Sequence, residues 1–293
     1  MRSLRLPAFA KINEGLYVLG RRRDGFHELR TIFQTIGLHD VLQMSLVRGG
    51  KITLECDDSA LPLGRENLVW RAVAAARRAL GVPAGVHVRL EKRIPVGRGL
   101  GGGSSDAAVA LVGMERLARR KLDPAKRALI AAQLGSDVPF FLFGGRALGL
   151  GRGEELYPLS DGAKRFVVVV SPVGIAVSTR HAYGWLRAPA LTTRASAPKL
   201  RRFCALCWSG QGGPLENDFE AAVFRRHPRL ARIKRALLQH GAAGAALAGS
   251  GSAVFGEFQS PVQARRAANL FPDDQVFITE TVTRDEYLRA IAG

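Results

Sequence analysis

The chain has 293 residues, of which 47% are hydrophobic, and carries a formal net charge of +18 at pH 7. Its length and composition suffice for one large domain or for two ordinary ones with buried cores. Three cysteines argue against a disulfide framework, no apolar run approaches the ~20 residues of a membrane span, and the first residues lack a signal-peptide core, so we expect a cytoplasmic protein without membrane association.

The high positive charge suits an anionic partner, such as nucleic acid, lipid headgroups or phosphorylated small molecules. The basic residues stand mostly as pairs along predicted helices, as at 77–78, 225–226 and 265–266. That distribution is typical of solvated helix faces, and no aromatic residues interleave with it as a base-stacking platform would require. We therefore expect no nucleic-acid partner, and a basic nucleic-acid-binding protein is the alternative from another class.

The first half of the chain predicts strands followed by helices. In order, the predicted elements are two extended segments within 4–20, strands at 28–37, 40–47, 51–56 and 86–94, and helices at 67–80, 105–119, 124–135 and 136–143. Asn67 is a typical N-cap, and Gly81 and Pro83 predict the end of the helix that it begins.

The second half predicts a small open sheet covered by helices on one face. Glycine-rich residues at 149–164 suggest a boundary, so we predict an N-terminal domain at 1–160 and a C-terminal domain at 161–293. The elements expected in the C-terminal domain are a strand at 166–171, a helix from about 178, a surface excursion at 188–200, a helix at 228–240, a strand–turn–strand at 245–255, a helix at 261–270 and a strand at 275–281.

The most informative stretch is the glycine-rich loop that precedes the helix at 105–119. Five of its seven central residues, 97–103, are glycines, which allow backbone conformations and close approaches that a side chain forbids. Ser104, Ser105 and Asp106 then resemble N-cap residues. Backbone amides that converge at a helix N-terminus bind anions, so we expect this loop to hold a polyphosphate.

Three other interpretations of the loop are weaker. Residues 97–102 also match the dinucleotide pattern G-x-G-x-x-G, but the strand before them alternates rather than being continuously apolar. No Gly-Lys-Ser or Gly-Lys-Thr is present, which excludes a P-loop. A flexible linker rarely ends at the cap of an amphipathic helix.

Two further residues suit phosphoryl transfer, which needs the donor phosphates held, their charge stabilised and the acceptor hydroxyl deprotonated. Lys11 lies among apolar strand residues, and Asp137 directly precedes a buried-looking helix. A solvated lysine and an N-cap aspartate are equally ordinary interpretations, so the pattern alone leaves both roles open.

Cys204 and Cys207 form a C-x-x-C without a second pair, and we expect them to pack a short helix with Leu206 and Trp208 rather than bind zinc.

Several of these segments together resemble one family. They are residues 10–13, 20–29, 95–108, 135–141, 151–154, 217–220 and 249–253. The glycine-serine loop resembles the GHMP kinase superfamily, and the triple glycine with the Arg-x-Asp-Gly-aromatic-His segment is similar to its 4-diphosphocytidyl-2-C-methyl-D-erythritol kinases. The resemblance covers nearly the whole chain.

This resemblance implies an α+β fold with two domains, an N-terminal α/β domain like that of a small-subunit ribosomal protein and a C-terminal ferredoxin-like α/β domain. It also implies an ATP-dependent kinase, with Mg²⁺ as a further cofactor, that phosphorylates the 2-hydroxyl of 4-diphosphocytidyl-2-C-methyl-D-erythritol in the non-mevalonate isoprenoid pathway. Superfamily relatives that phosphorylate mevalonate or homoserine are the nearest alternatives. The magnesium ligands and the oligomeric state stay unassigned.

The resemblance assigns roles to individual residues. Asp137 matches the catalytic base, and Lys11 matches the lysine that pairs with it near the γ-phosphate. Asn13 and Thr179 match contacts to the acceptor, Phe26 and Tyr183 match the aromatics that sandwich the cytosine, and His27 matches a contact to the cytosine edge. The residues that match the ATP phosphate loop are Pro95, Val96, Gly97, Arg98, Gly99, Leu100, Gly101, Gly102, Gly103, Ser104 and Ser105. The sequence departs from the family at Phe26, where tyrosine is frequent, and at Glu14, where an apolar residue is common.

Overall fold

The computed structural model describes residues 3–186, 188–208 and 215–292. At the centre of its first sheet lie β1 (Ser3–Arg21) and β2 (His27–Val47), which pair antiparallel along their whole length. The sequence predicted two shorter strands in place of each. Register shifts at 9/10, 13/15 and 18/20 bend the pair without ending it, and such bulges interrupt the local pattern of a strand that continues.

The remaining strands of the first sheet come from both halves of the chain. They are β3 (Ile52–Cys56), β4 (Gly85–Glu91), β5 (Arg146–Leu150), β6 (Glu155–Pro158) and β8 (Glu216–Asn217). The order is β3-β4-β2-β1-β8, and the hairpin of β5 and β6 pairs with β2 through β5. The glycine-rich stretch after 149 is therefore partly a strand hairpin of this sheet. The domain boundary between 160 and 161 stays a prediction.

Three helices cover the first sheet: α1 (Leu68–Leu80), α2 (Gly102–Ala118) and α3 (Pro124–Leu134). The caps of α1 are as predicted, because the Asn67 side chain accepts from the Val69 amide and Gly81 ends the helix with φ of 64°. The start of α2 was predicted too late. Its N-cap is Gly101, with φ of 73°, so Ser104 and Asp106 lie inside the first turns instead of capping them.

The second sheet has the order β11-β7-β10-β9, with every neighbouring pair antiparallel. Its strands are β7 (Phe166–Ser171), β9 (Gly244–Leu247), β10 (Val254–Phe258) and β11 (Gln275–Glu280). In chain order within this half, the arrangement is 4-1-3-2, which is the ferredoxin-like topology that the family resemblance implied.

Helices follow β7, β8, β10 and β11 along the chain. They are α4 (Thr179–Leu186), α5 (Thr193–Trp208), α6 (Glu220–Arg226), α7 (Pro228–Gln239), α8 (Pro261–Ala268) and α9 (Arg284–Ala292). The predicted surface excursion at 188–200 is thus helical from Thr193 onward. Within the described ranges, no helix combines the length and apolarity that crossing a membrane requires.

The second sheet is buried on both faces. Val168 and Val170 of β7 belong to a cluster that includes Leu230 and Leu237 of α7. Val167 and Val169 point the other way and pack with Ala10, Ile12 and Leu100 of the first half. This double burial explains why β7 is a continuous apolar run rather than an alternating one. The contact places the glycine-rich loop between the first and second sheets.

The helix α9 returns to the first core. Tyr287 is fully buried there, and its hydroxyl donates to the Phe141 carbonyl oxygen at 2.5 Å. Its ring covers Gly144, where φ is +56° and an added Cβ would lie 2.3 Å from the ring carbon Cγ. A glycine is required at this position both by the backbone conformation and by the contact.

We expect Gly144→Ala to lower the free energy of unfolding by roughly 2–4 kcal/mol, because left-handed backbone strain adds to overpacking against the Tyr287 ring. Gly49 is the matched control, since its φ is +83° and an added Cβ would have nothing within 4 Å. Gly49→Ala should therefore cost about 1 kcal/mol, from the backbone alone. Urea denaturation measures both values, and equal losses would contradict the packing argument.

Candidate active site

A cavity of about 1020 Å³ opens between the first and second sheets. It is lined by the glycine-rich loop, by the turn at 249–251 and by side chains from both halves of the chain. The predicted site residues that line it are Lys11, Asn13, Phe26, His27, Pro95, Val96, Gly97, Arg98, Gly99, Leu100, Gly101, Gly102, Gly103, Ser104, Asp137, Thr179 and Tyr183. Ser105 is fully buried beneath the loop and is not part of the lining.

Lys11 and Asp137 meet in this cavity. The Lys11 ammonium Nζ lies 3.5 Å from Asp137 Oδ2 and donates to Asn13 Oδ1 at 2.9 Å. Lys11 is only 4% exposed, whereas the Asp137 side chain is 34% exposed. The lysine is thus a fixed, desolvated charge, and the carboxylate faces the open space of the cavity. A fixed cation beside an accessible carboxylate suits charge stabilisation and proton abstraction at one point.

Asn13 is itself held by a chain of hydrogen bonds. Its amide Nδ2 donates to Thr31 Oγ1 at 2.8 Å, and the Thr31 hydroxyl donates to the Gly15 carbonyl oxygen at 2.7 Å. This chain fixes which end of the Asn13 amide faces Lys11. Asn13 lines the cavity but is 1% exposed, so its polar atoms are directed mainly at the lysine and at Thr31.

The glycine-rich loop is hydrogen-bonded directly to β1. The Lys11 backbone N–H donates to the Leu100 carbonyl oxygen at 3.0 Å. Gly97, Gly99 and Gly101 have φ of 70°, 82° and 73°, which side chains rarely adopt. The loop therefore reaches the N-terminus of α2, whose dipole and unpaired amides point at the cavity.

Aromatic rings cluster at the other end of the cavity. His27 stacks on Tyr183 with ring centroids 4.5 Å apart, and Tyr183 meets Phe219 edge-on. Phe26 is 51% exposed, and the Arg152 guanidinium lies 4.7 Å from its ring centroid. Phe26 and Tyr183, the two aromatics assigned to a sandwich, thus have different partners in this structure. Burial, with Arg21 nearby, lowers the pKa of His27, so at pH 7 the ring is neutral and offers one donor and one acceptor.

The turn at 249–251 faces the start of α4. The hydroxyl oxygens of Thr179 and Ser250 are 3.1 Å apart, and both residues line the cavity.

Glu14 has a clear structural role, because its carboxylate accepts from Arg146 Nε at 2.7 Å and both side chains are nearly buried. This ion pair explains the charged residue at a position that is often apolar.

Cys204 and Cys207 lie on α5 with free thiols, and the side chains of Leu206 and Trp208 lie outside the described part. Across residues 3–186, 188–208 and 215–292, no cluster of three or more His, Cys, Asp or Glu side chains is placed to hold a metal ion.

Comparison with known proteins identifies the family. The model for the GHMP kinases N terminal domain matches residues 67–145, and that for the GHMP kinases C terminal domain matches residues 195–272. The chain is 47% identical to a 4-diphosphocytidyl-2-C-methyl-D-erythritol kinase of Solibacter usitatus over 98% of this chain and 91% of that protein. It is 43% identical to the enzyme of the same name from Moorella thermoacetica over 95% of this chain and 99% of that protein.

The chain belongs to the 4-diphosphocytidyl-2-C-methyl-D-erythritol kinase family.

A solved structure agrees with this assignment. The crystal structure of a 4-(cytidine 5'-diphospho)-2C-methyl-D-erythritol kinase superposes with a TM-score of 0.78 at 38% identity, over 95% of this chain and 99% of that one. A homoserine kinase from Cytophaga hutchinsonii, at 20% identity and a TM-score of 0.74 over 97% of this chain and 95% of that one, shares the fold. The predicted two-domain α+β fold of the GHMP kinases is confirmed, and the protein is a small-molecule kinase.

This family member contains a buried ionic cluster that sequence reasoning missed. Lys92 donates to Asp40 and, at 2.9 Å, to Asp106 Oδ2, next to the glycine-rich loop. Asp40 also accepts from the Arg93 and Ile94 amides, which fixes the chain entering the loop. The three side chains come from different elements, so their spacing in the sequence gave no signal.

The cluster holds two carboxylates against one ammonium. Burial, together with the charge of Asp40, raises the pKa of Asp106 to about 8, against the opposing effect of Lys92. Asp106 Oδ1 has no hydrogen-bond partner and Asp106 is 2% exposed. The kinase therefore favours a protonated Asp106 at neutral pH, so that the charges of Lys92 and Asp40 balance and the cluster is neutral.

We expect the protein to lose stability as pH rises from about 5 to 8, because a carboxyl with a raised folded-state pKa holds a proton that the unfolded chain has released. The loss should approach ~1 kcal/mol per pH unit. Asp106→Asn keeps a polar group beside Lys92 and should flatten this dependence in urea denaturation at several pH values. The exposed Asp273→Asn serves as the control and should retain the wild-type slope. Parallel curves for all three proteins would contradict the assignment.

Proposed function

We propose that this protein transfers the γ-phosphoryl group of ATP to the 2-hydroxyl of 4-diphosphocytidyl-2-C-methyl-D-erythritol, in the non-mevalonate route to isoprenoids. The observation that carries the proposal is the 3.5 Å pair of Lys11 and Asp137 in a cavity that the glycine-rich loop also lines. The family membership supports the substrate, since relatives named for this activity are 40–47% identical to the chain.

In this mechanism, Asp137 accepts the proton of the 2-hydroxyl as the oxygen attacks the γ-phosphorus, and the bond from that phosphorus to the β,γ-bridging oxygen breaks to release ADP. The Lys11 ammonium stabilises the negative charge that spreads over the transferring phosphoryl oxygens. Its hydrogen bond to Asn13 keeps the ammonium in place when Asp137 becomes neutral. Because Lys11 is desolvated, its charge is screened less than it would be in water.

The glycine-rich loop binds the donor in this proposal. Its backbone amides and the N-terminus of α2 hold the ATP phosphates, and the absence of Cβ atoms lets the phosphates approach the chain. The Leu100 carbonyl of the loop accepts from the Lys11 backbone N–H, so the donor phosphates and the Lys11 ammonium are held at a fixed distance from each other. Magnesium that accompanies ATP would meet the Ser104 hydroxyl, because hydroxyl and phosphate oxygens are the hard ligands that Mg²⁺ prefers. It would neutralise phosphate charge.

The aromatic end of the cavity binds the cytidine in this proposal. Phe26 and Tyr183 supply flat faces, and a base that enters between them displaces the stack that Tyr183 makes with His27. Stacking accepts any base, so selection of cytosine falls to hydrogen bonds at its edge. The neutral His27 ring, with one donor and one acceptor, suits that edge. Thr179 and Ser250 also line the cavity, and in this proposal their hydroxyls bind the acceptor diphosphate.

We expect Asp137→Asn and Lys11→Met each to lower kcat by about 10³-fold or more, since the first removes the base and the second removes the fixed charge. Phosphorus NMR of the product, with ATP and the cytidylyl substrate, measures turnover and locates the new phosphate. The exposed Lys126→Met is the control for loss of a lysine. Near-normal turnover in either active-site variant, with the fold intact by circular dichroism, would remove the mechanism.

We expect Tyr183→Ala to raise the KM for the cytidylyl substrate by roughly 5–150-fold, because stacking on one aromatic ring is worth about 1–3 kcal/mol per base. The KM for ATP should change little. Tyr183→Phe keeps the ring and should stay near wild type, and Tyr157→Ala, an exposed tyrosine on β6, is the control. Wild-type turnover of mevalonate or homoserine at comparable kcat/KM would favour a superfamily activity other than the proposed one.

A further inference from the structure

The phosphate loop is in backbone contact with the second sheet. A Cβ added at Gly99 would lie 1.9 Å from the Ala248 carbonyl oxygen, and one added at Gly249 would lie 2.9 Å from the Gly99 oxygen. The Ala253 N–H donates to the Arg98 carbonyl oxygen at 3.2 Å. The conformation of the loop therefore depends on the turn between β9 and β10, as well as on the helix that follows the loop.

The side chain of Arg98 adds a second connection at the same place. Its guanidinium NH1 donates to Ser252 Oγ at 2.6 Å. Ser252 is fully buried, and its own hydroxyl proton goes to the Ile175 carbonyl oxygen at 2.7 Å. Because the hydroxyl proton is committed to Ile175, the Ser252 oxygen is available only as an acceptor, which the arginine satisfies.

The hydrogen bonds from Arg98 to Ser252 and from Ser252 to Ile175 form a relay, which ends near the residues assigned to the acceptor substrate. Ile175 lies in the segment between β7 and α4, and α4 begins four residues later with Thr179 and carries Tyr183. The Arg98–Ser252–Ile175 relay thus joins the loop assigned to ATP to the segment assigned to the second substrate. Arg98 stands among the glycines of a loop in which small residues suffice for phosphate contact. Its long side chain is used instead for the hydrogen bond to Ser252.

We propose that Arg98 is a positioning residue whose hydrogen bond to Ser252 holds the phosphate loop in register with the segment that carries Thr179 and Tyr183. The proposal deepens the proposed function and rests on it for the identity of the two substrates. The relay acts on the reaction by setting the distance between donor phosphate and acceptor hydroxyl. A misplacement of about 1 Å can cost 10²-fold in rate.

The test is a double-mutant cycle with Arg98→Met, Ser252→Ala and the double variant, assayed with ATP and the cytidylyl substrate. Each single variant should lower kcat by roughly 10–100-fold, and the double variant should lose no more than the worse single one, because all three break the same relay. Arg98→Lys, which retains a donor, should recover part of the loss. Arg93→Met, at an exposed arginine near the loop, is the matched control.

A direct role of Arg98 in ATP binding would give a different pattern and overturn the proposal. Arg98→Met would then raise the KM for ATP with kcat near wild type, Ser252→Ala would change neither, and the two effects would add. A purely structural role would also overturn it, since both variants would lower the urea midpoint and keep the wild-type kcat.

A readout without catalysis separates this inference from the proposed function. In hydrogen exchange, the amides of 97–103 should exchange faster in Arg98→Met and in Ser252→Ala than in wild type, to a similar extent, while those of α1 stay unchanged. Unaltered exchange of the loop would overturn the positioning role even with an active enzyme. The opposite result is faster exchange of the loop in both variants together with a wild-type protein that does not phosphorylate the cytidylyl substrate. That result would overturn the proposed function and leave the positioning role of Arg98 intact.

Discussion

A buried ammonium must be matched by acceptors, because an unpaired charge away from water costs several kcal/mol. Lys11 meets this requirement with Asn13, which is anchored through Thr31 to a backbone carbonyl, and with the partly exposed Asp137. The bulges of β1 on either side of Lys11, the turn that carries Asp137 and the glycine-rich loop all lie around this one charge. Much of the architecture near the cavity can be understood as the means of holding it.

The sequence predicted the parts whose chemistry is local. The two ends of α1, at Asn67 and Gly81, were predicted because a cap depends on neighbouring backbone groups. The start of α3 at Pro124 was predicted for the same reason. The glycine-rich loop was predicted because its composition allows few other structures. Lys11 and Asp137 were singled out from their sequence context, but their roles were assigned only through family resemblance, since a lysine in a strand and an aspartate before a turn have ordinary interpretations when taken alone.

The parts that were missed depend on contacts distant in sequence. β1 and β2 were divided at their bulges, where a continuous ladder is maintained by the partner strand rather than by local pattern. The start of α2 was placed too late because Gly102 and Gly103, poor helix formers, become helical when the loop packs against Ile94 and the second sheet. The cluster of Asp40, Lys92 and Asp106 joins residues up to 66 positions apart in the chain. Lys92, which precedes the glycine-rich loop, pairs with Asp40 on β2 and with Asp106 on α2.

The position of Tyr287 also has a consequence for biosynthesis. Its hydroxyl closes onto the Phe141 carbonyl from 146 residues further along the chain, and its ring completes the floor beneath the turn that follows Asp137. At translation speeds of about 5–20 residues per second, the ribosome needs roughly 7–30 s to make that stretch. During this interval the nascent first half exposes the apolar pocket that the tyrosine later fills. The core of the first half is therefore completed only after the last helix of the chain has been made.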